Sequence, residues 1–168
     1  WTAGKLTRED LDRYSVESHA RAAKAAAAGV FAREIAPITI KGRKGDTVVS
    51  ADEGIRADAS LEGLGKLKPA FNADGACTAG NASQISDGAA ALFVANDAGM
   101  KKSGLKPVAR ILAAATHGVA PKDIFDAPVG AVRKVLEKAG LKLPQIDLFE
   151  LNEAFAAQTV ANGKELGI

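Results

Sequence analysis

The chain contains the stretch Thr78-Ala79-Gly80-Asn81-Ala82-Ser83-Gln84-Ile85-Ser86-Asp87-Gly88-Ala89-Ala90-Ala91, which changes character near its centre. Up to Gly88 it holds small, polar and turn-forming residues, and from Ala89 to Ala95 it is continuously apolar. A loop of small residues lets the backbone approach a ligand, and its hydroxyl and amide groups suit a ligand rich in amides or phosphates. The apolar run predicts a buried strand, although its length also fits a buried helix. An ordinary turn before a core strand explains the same pattern equally well.

The composition limits the classes of protein that the chain can represent. Its 168 residues suffice for one ordinary domain or two small ones, and 47% of them are hydrophobic. The net charge of +2 gives no argument for binding to nucleic acid or to a membrane surface. A single cysteine excludes an internal disulfide framework and a multi-cysteine zinc site, and favours a reducing compartment. No apolar run approaches the roughly 20 residues of a transmembrane helix.

The first seventy residues predict a mixed, loop-rich unit. Thr7 is suited to cap a helix that Gly29 ends. Residues 34–40 include Pro37 and predict an edge strand, which a turn with three cations joins to a return strand at residues 48–49. That turn is a phosphate-binding candidate or, more commonly, a solvated loop. Three leucines at a spacing of three predict a short helix over residues 60–66.

The rest of the chain predicts a different order of elements, in which strands and helices alternate. Asn96 is suited to cap a short helix that Gly104 ends, and Asp126 to cap a longer helix that Gly140 ends. Residues 107–115 and 146–151 predict strands, and Asn152 is suited to cap a final helix that runs to about residue 166. Strand, helix, strand, helix in this order predicts parallel strands joined by a right-handed crossover. A boundary between the two parts is expected near residues 71–78.

Four groups of side chains are candidates for chemistry, and the residues alone leave each open. Cys77 is the single thiol, but nothing in the sequence ties it to His19 or His117 as a base, so a small half-buried side chain is the more typical role. Both histidines also fit packing or surface positions. Asn152 and Glu153 follow a predicted strand, where ligands bind in parallel α/β sheets. The Asn152 amide is suited to an oxyanion site, and equally to capping the following helix.

The combination of motifs closely resembles the thiolase family. The resemblance covers nearly the whole chain, with its motifs in the family's order. The matching stretches are Thr78 to Ser83, Ser86 to Ala91, Leu148 to Ala156, Ile40 to Asp46, Asp52-Glu53 with Ile55-Arg56, and Lys66 to Phe71. One such motif is weak support, whereas several in order make chance an inadequate explanation.

The resemblance implies an α/β protein that forms part of a layered αβαβα fold, with a loop-rich α+β subdomain that binds coenzyme A. It implies a loop subdomain over residues 1–77, the end of the N-terminal half over residues 78–115, and the start of the C-terminal half over residues 116–168. Thiolases transfer an acyl group between an enzyme cysteine and coenzyme A, breaking or forming a carbon–carbon bond. Acyl-CoA and coenzyme A are then the substrates, with no covalently bound cofactor and no metal. The implied assembly is a homo-oligomer, a dimer or tetramer, in the cytoplasm or alternatively in a mitochondrion or peroxisome.

Five positions match residues of the family's coenzyme A site. Ser83 matches a serine whose hydroxyl bonds an amide of the pantetheine arm, and Ala79 and Gly80 match the backbone beside that arm. Arg56 matches a basic residue near the adenine and ribose phosphate. Phe71 matches an aromatic side chain that lines the pantetheine channel.

Two further positions match the reaction site, and several departures accompany them. Asn152 matches the amide that holds a water in the oxyanion site, and Phe155 matches a neighbouring pocket wall. Gly63 stands where some members have a serine near the nucleotide, which puts that contact in doubt. The family's acylated cysteine and its catalytic histidine match neither Cys77 nor His117.

These departures lead to three hypotheses. The first is that the chain is a central piece of a thiolase that is inactive on its own, because the nucleophile and base lie in other parts of the protein. The second is a non-catalytic coenzyme A-binding or assembly module. A parent protein of mass well above 17.2 kDa favours the first. The third, a cysteine hydrolase that uses Cys77 and His117, has little support from the sequence.

Overall fold

The computed structural model describes residues 6–168, which divide into two compact units. The first, called here the α1 unit, contains the described residues up to Gln84 together with Glu153–Ala161. The second, called the α4 unit, contains Ile85–Asn152 and Asn162–Ile168. Each unit therefore combines segments that are far apart in the sequence. The boundary between Ala161 and Asn162 lies inside the last helix.

Helix α1 spans Arg8–Ala27 and begins with the predicted cap at Thr7. The Thr7 hydroxyl accepts a hydrogen bond from the Asp10 amide at 3.1 Å, and the Asp10 carboxylate accepts one from the Thr7 amide at 2.8 Å. This reciprocal pair satisfies amide groups that have no partner inside the helix. The predicted end is also confirmed, since Gly29 has φ of 70°, a left-handed conformation that stops the helix. One turn of 3₁₀ helix follows at Val30–Arg33.

The predicted hairpin and short helix of the α1 unit are confirmed. Strands β1, Ile38–Ile40, and β2, Thr47–Val49, pair antiparallel with Thr39 opposite Val48. The first strand is shorter than predicted, because pairing starts only after Pro37, which lacks an amide hydrogen. Helix α2 spans Leu61–Gly65, and the Ser60 hydroxyl caps it by accepting from the Gly63 amide at 3.1 Å.

The core of the α1 unit joins α1 to the end of the chain. Its buried members are Leu6, Leu11, Ala156 and Ala157, with Tyr14, Ala76, Cys77, Val160 and Ala161 packed around them. Helix α5 spans Ala156–Leu166, so its first residues supply half of this cluster. The start of α5 therefore packs in the same cluster as Leu11 of α1.

The α4 unit is built from helices. Helix α3 spans Asp97–Ser103 with the predicted Asn96 cap, and α4 spans Ala127–Ala139 and ends at Gly140 in the left-handed conformation. Single 3₁₀ segments precede and follow α4, at Pro121–Asp126 and Leu143–Gln145. The predicted cap at Asp126 is wrong. The 3₁₀ segment leads directly into α4, so Asp126 has helical backbone angles and makes no capping hydrogen bond.

The predicted cap at Asn152 is wrong as well. Helix α5 begins at Ala156, four residues later than Asn152. The intervening residues make contacts with other parts of the α1 unit, described below, and these contacts hold them out of the helix.

The three predicted strands beyond the opening loop are not formed. Residues 89–95, 107–115 and 146–151 have no strand assigned, and their large apolar side chains are exposed, with Phe93 at 95% and Leu148 at 89%. A strand needs a neighbour to pair its amide and carbonyl groups. Among residues 6–168, β1 and β2 form the one paired sheet, so these apolar segments have no strand to join. Of the predicted parallel βαβα unit, the helices are present and the strands are not formed.

None of the helices in the described part of the chain is both long and apolar enough to cross a membrane.

Candidate functional site

Asn81 is the centre of a buried hydrogen-bond network that shapes the opening loop. Its side-chain amide donates to a carboxylate oxygen of Asp12 at 2.9 Å and to the carbonyl of Ala76 at 3.1 Å. Its side-chain oxygen accepts from the amide of Thr78 at 2.9 Å. Thr78 and Asn81 are almost completely buried. One side chain thus closes the loop on itself and ties it to α1.

The network continues in both directions from Asn81. The buried carboxylate of Asp12 forms an ion pair with Arg8 at 2.6 Å, and Arg8 also donates to the carbonyls of Leu64 and Leu67 at 2.5 and 3.1 Å. The backbone carbonyl of Asn81 accepts from the amide of Ala156, the first residue of α5, at 3.0 Å. The loop, α1, the end of α2 and the start of α5 are therefore fixed together by polar groups that satisfy one another.

Gly80 lies where another residue would not fit. A Cβ atom built on Gly80 would stand 2.8 Å from Cδ1 of Leu67 and 2.9 Å from Cγ of Leu64. The loop consequently packs its bare backbone against Leu64 of α2 and against Leu67, which follows this helix. The neighbours of Gly80 on this side are side chains of the chain itself, and the predicted approach of a ligand to Gly80 stays a prediction.

The segment that follows Asn152 pairs with the end of the loop. Phe155 and Ala82 form an isolated antiparallel bridge, and the hydroxyl of Ser83 donates to the carbonyl of Ala154. The ring of Phe155 stacks on that of Phe71, with centroids 6.0 Å apart and planes inclined by 28°. Phe71 is otherwise 69% exposed. The two aromatic rings therefore form a partly open apolar surface beside Ser83 and Ala154.

Glu153 anchors the same segment to α1. Its two carboxylate oxygens accept hydrogen bonds from the hydroxyl of Tyr14 at 2.5 Å and from the hydroxyl of Ser18 at 2.6 Å. Burial, the hydrogen bond to Glu153 and the negative charge of Glu153 all raise the pKa of Tyr14 above its ordinary value. The phenol therefore stays protonated and remains a donor throughout the physiological pH range.

A polar cleft of about 170 Å³ lies within the α1 unit. Its lining comes from α1, the opening loop and the segment at the start of α5, namely Tyr14, Ser15, Ser18, His19, Gly80, Asn81, Ala82, Ser83, Gln84, Glu153 and Ala156. Hydroxyl, amide and imidazole groups dominate this surface, and polar groups of this kind orient a ligand that has its own amides.

A turn preceding α2 lies against the same part of α1. The Nδ1 atom of His19 accepts from the backbone amide of Arg56 at 3.2 Å, and the side-chain amide of Gln84 donates to the carbonyl of Gly54 at 2.7 Å. Asp52 closes the turn by accepting from the Gly54 amide at 2.7 Å. The backbone of Arg56 is thus fixed, while its side chain is exposed.

The structure brings together most of the side chains predicted from the sequence. Gly80 and Ser83 line the cleft, Ala79 is exposed beside Gly80, and Phe71 and Phe155 stack on each other. These residues and Arg56 belong to the α1 unit, whereas Asn152 is exposed and belongs to the α4 unit.

Two polar side chains of this region, Tyr14 and Ser18, were not among the candidates selected from the sequence, and Glu153 was selected only together with Asn152 at the end of a predicted strand. The signal that could have found the first two is their i, i+4 spacing in α1, which places two hydroxyls on one helix face. His19 was interpreted as a packing or surface histidine, and it accepts a structural hydrogen bond.

Neither of the remaining candidates shows nucleophilic or metal-binding character. Cys77 packs against the core cluster, and burial raises the pKa of its thiol. His117 lies against α4, where a Cβ on Gly130 would stand 2.2 to 2.6 Å from its ring, and its buried Nδ1 has no hydrogen-bond partner among the described residues. Within residues 6–168, no group of three His, Cys, Asp or Glu side chains is arranged to hold a metal ion.

We expect Cys77 to react slowly with thiol reagents. Because the raised pKa leaves less thiolate near pH 8, alkylation in the folded chain should be slower than in urea. The comparison is a Ser86→Cys substitution in a Cys77→Ser background, which puts the thiol at an exposed position. If Cys77 in the folded chain is alkylated faster than the exposed comparison thiol, Cys77 is an activated thiol, as the cysteine hydrolase hypothesis requires.

Comparison with known proteins identifies the family. Residues 2–98 match the family described as "Thiolase, N-terminal domain", and residues 105–168 match "Thiolase, C-terminal domain". The chain belongs to the thiolase family. The N-terminal thiolase match alone covers more than half of the sequence, and the two matches follow each other in order.

The chain is also similar to curated thiolases and to solved thiolase structures. A beta-ketoadipyl-CoA thiolase of Pseudomonas knackmussii is 51% identical over 164 residues, and an acetyl-CoA acetyltransferase of Paracoccus denitrificans is 48% identical over 167. Each alignment covers 98% of this chain, and 41% and 43% of the relative, respectively.

Two solved structures have the same fold over almost the whole chain. The Bacillus anthracis acetyl-CoA acetyltransferase has a TM-score of 0.93 at 47% identity, and human mitochondrial 3-ketoacyl-CoA thiolase has 0.92 at 42%. Each covers 98% of this chain and 42% of the solved chain. The predicted thiolase-like α/β fold is thereby confirmed, and the chain spans about two fifths of the length of the thiolases that it matches.

Proposed function

We propose that this chain carries the coenzyme A-binding part of a thiolase. In the whole protein it would take part in acyl transfer between an acyl-cysteine and coenzyme A, with cleavage or formation of a carbon–carbon bond. The observation that carries the proposal is the 51% identity to a beta-ketoadipyl-CoA thiolase over 98% of the chain. The polar cleft in the α1 unit supports it, because its groups suit a ligand that contains amides.

The opening loop would bind the pantetheine arm. The hydroxyl of Ser83 donates to Ala154, and its oxygen keeps lone pairs that can accept from an amide N–H of the arm. Ala79 and Gly80 would present backbone beside the arm, as their lack of bulk allows. The stacked rings of Phe71 and Phe155 would contact its apolar carbons.

Two further residues, Arg56 and Asn152, would have roles outside this loop. The exposed guanidinium of Arg56 would pair with a phosphate of the nucleotide, for which its planar fork of donors is suited. Asn152 would hold a water in the oxyanion site, where an amide donor stabilises developing negative charge. The nucleophilic cysteine and the histidine base would come from parts of the protein other than these residues, so we expect no thiolase turnover from the 168-residue chain.

The proposal extends to organisation and assembly. We propose three divisions of the chain: a loop subdomain over residues 1–77, the end of the N-terminal half over residues 78–115, and the start of the C-terminal half over residues 116–168. A homo-oligomer is proposed for the whole protein, and a cytoplasmic location is proposed with it. Exposed apolar side chains such as Leu92, Phe93 and Val108 support dependence on further protein surface.

We expect the 168-residue chain to bind coenzyme A, and Ser83→Ala to weaken binding by about 3- to 10-fold, the contribution of one hydrogen bond. Isothermal titration calorimetry gives both dissociation constants. Ser86→Ala is the matched control, because Ser86 is exposed and lies three residues beyond Ser83. An absence of binding by the unsubstituted chain would contradict the proposal, as would equal effects of the two substitutions. Measurable acetoacetyl-CoA cleavage by the chain alone would contradict the proposed division of roles.

A further inference from the structure

Glu153 joins two parts of the α1 unit that are far apart in the sequence. Its carboxylate binds Tyr14 and Ser18, which precede it by 139 and 135 residues. The two hydroxyl donors stand one helical turn apart on α1, and each takes a different carboxylate oxygen, Oε1 for Tyr14 and Oε2 for Ser18. A carboxylate held at both oxygens has its orientation fixed, which a single hydrogen bond does not achieve.

The residues directly after Glu153 are those that contact the proposed ligand-binding loop. Ala154 offers its carbonyl to the hydroxyl of Ser83, and Phe155 pairs with Ala82 and stacks on Phe71. Rotation or displacement of Glu153 would move this carbonyl and this ring together, since they follow in the next two residues. The orientation of the Ser83 hydroxyl would then change as well, because Ala154 is its hydrogen-bond acceptor.

We infer that Glu153, held by Tyr14 and Ser18, is a positioning residue that sets the Ser83 hydroxyl and the Phe155 ring for the pantetheine arm. This inference rests on the proposed function for its ligand, and on the hydrogen bonds of Glu153 for its geometry. Glu153 itself would act through its neighbours rather than by contact with the reacting groups.

The fold of the α1 unit has other attachments at this place, so Glu153 is not needed to hold it together. The amide of Ala156 donates to the carbonyl of Asn81 at 3.0 Å, and Ala156 and Ala157 are buried in the core. Glu153, in contrast, is exposed. Its replacement should therefore change the geometry of residues 154 and 155 and leave α5 docked on α1.

Three substitutions and a control test the inference by binding of coenzyme A to the 168-residue chain. Glu153→Gln weakens acceptance at one oxygen, and Tyr14→Phe removes one donor while keeping the ring. We expect each to weaken binding by about tenfold, a typical effect for a hydrogen bond to a charged group. The double substitution should be little worse than either single one, because both remove the same interaction. Glu9→Gln, an exposed carboxylate on α1 paired with Arg13, should leave the dissociation constant unchanged.

A second measurement tests the geometry without any ligand. Tyr14 is the one tyrosine in the sequence, so near-ultraviolet absorbance of phenolate reports this side chain alone. Burial and Glu153 raise the pKa of Tyr14, whereas Thr159 and Arg21 oppose the rise. About one pH unit above the ordinary tyrosine pKa of about 10, the folded chain should contain less phenolate than the chain in urea. Glu153→Gln should narrow that difference, and Glu9→Gln should not.

The outcomes separate the inference from the proposed function. If the unsubstituted chain fails to bind coenzyme A, the proposed function fails, and the tyrosine titration still decides whether Glu153 holds Tyr14. If the chain binds but Glu153→Gln and Tyr14→Phe bind equally well, the positioning role is wrong. Loss of the far-ultraviolet circular dichroism spectrum in Glu153→Gln would also overturn the inference, since it would show that Glu153 supports the fold. If the Tyr14 titration is unchanged in Glu153→Gln, the carboxylate of Glu153 does not hold the Tyr14 hydroxyl, and the inference is wrong.

Discussion

Replacement of Asn81 by alanine should lower the free energy of unfolding by about 3 kcal/mol, measured by urea denaturation. Asn81 is 3% exposed, and its side chain bonds Asp12, Ala76 and Thr78. Truncation leaves a buried carboxylate with one donor fewer and a buried amide without its acceptor. Unsatisfied groups of this kind each cost about 1–3 kcal/mol, more than the bonds themselves contribute.

Two further substitutions make this expectation specific. Asn72→Ala removes the same chemical group from an exposed position and should change the free energy of unfolding by less than about 0.5 kcal/mol. Asn81→Asp keeps the shape but turns the donor toward Asp12 into an acceptor, so it should destabilise the chain at least as much as Asn81→Ala at neutral pH. Similar stability of Asn81→Ala and Asn72→Ala would show that the network does not hold the loop.

Gly80→Ala should destabilise the chain by about 1–3 kcal/mol, the usual cost of overpacking a closed contact. The new Cβ would lie 2.8 Å from Leu67 and 2.9 Å from Leu64, closer than carbon atoms tolerate. Leu64 is buried and its Cγ atom is not a free chain end, so the loop has to move away from α2. We expect urea denaturation to show the loss, and calorimetry to show weaker binding of coenzyme A.

Gly65→Ala is the matched control for this substitution. A Cβ on Gly65 meets nothing within 4 Å, and Gly65 is the last residue of α2. Alanine there should be neutral or stabilising, because it reduces the backbone freedom of the unfolded chain. If Gly80→Ala is as stable as Gly65→Ala, the loop is not packed tightly on α2.

Local signals in the sequence were sufficient for the elements that stabilise themselves. The caps at Thr7 and Asn96 and the left-handed glycines after α1, α3 and α4 are set by residues within one turn. The hairpin was predictable for the same reason, since its strands are separated by a short turn. The predicted strands over residues 89–95, 107–115 and 146–151 failed because pairing depends on distant strands, which no local pattern supplies.

The sequence motifs predicted residues of the candidate site, but they did not predict the hydrogen bonds that join those residues to distant parts of the chain. Gly80 and Ser83 were selected because their stretch matches the thiolase motif, whereas the residues alone indicated only a loop of small and polar residues that a ligand could approach. The bonds from Asn81 to Asp12 and from Glu153 to Tyr14 join residues 69 and 139 positions apart. In the sequence, Asp12 and Tyr14 have the pattern of ordinary residues of an amphipathic helix. Their hydrogen-bond partners can be identified only from the folded structure.

The most direct test of the central proposal is an amide NMR titration of the 168-residue chain with pantetheine, compared with coenzyme A. We expect pantetheine to shift the amide signals of residues 79–84 and 153–156, which line or adjoin the cleft. Coenzyme A should shift these same signals and also that of Arg56, beside which the nucleotide phosphates are proposed to bind. Shifts confined to the α4 unit, or no shifts at ligand concentrations that saturate known thiolases, would contradict the proposal that this loop binds the pantetheine arm.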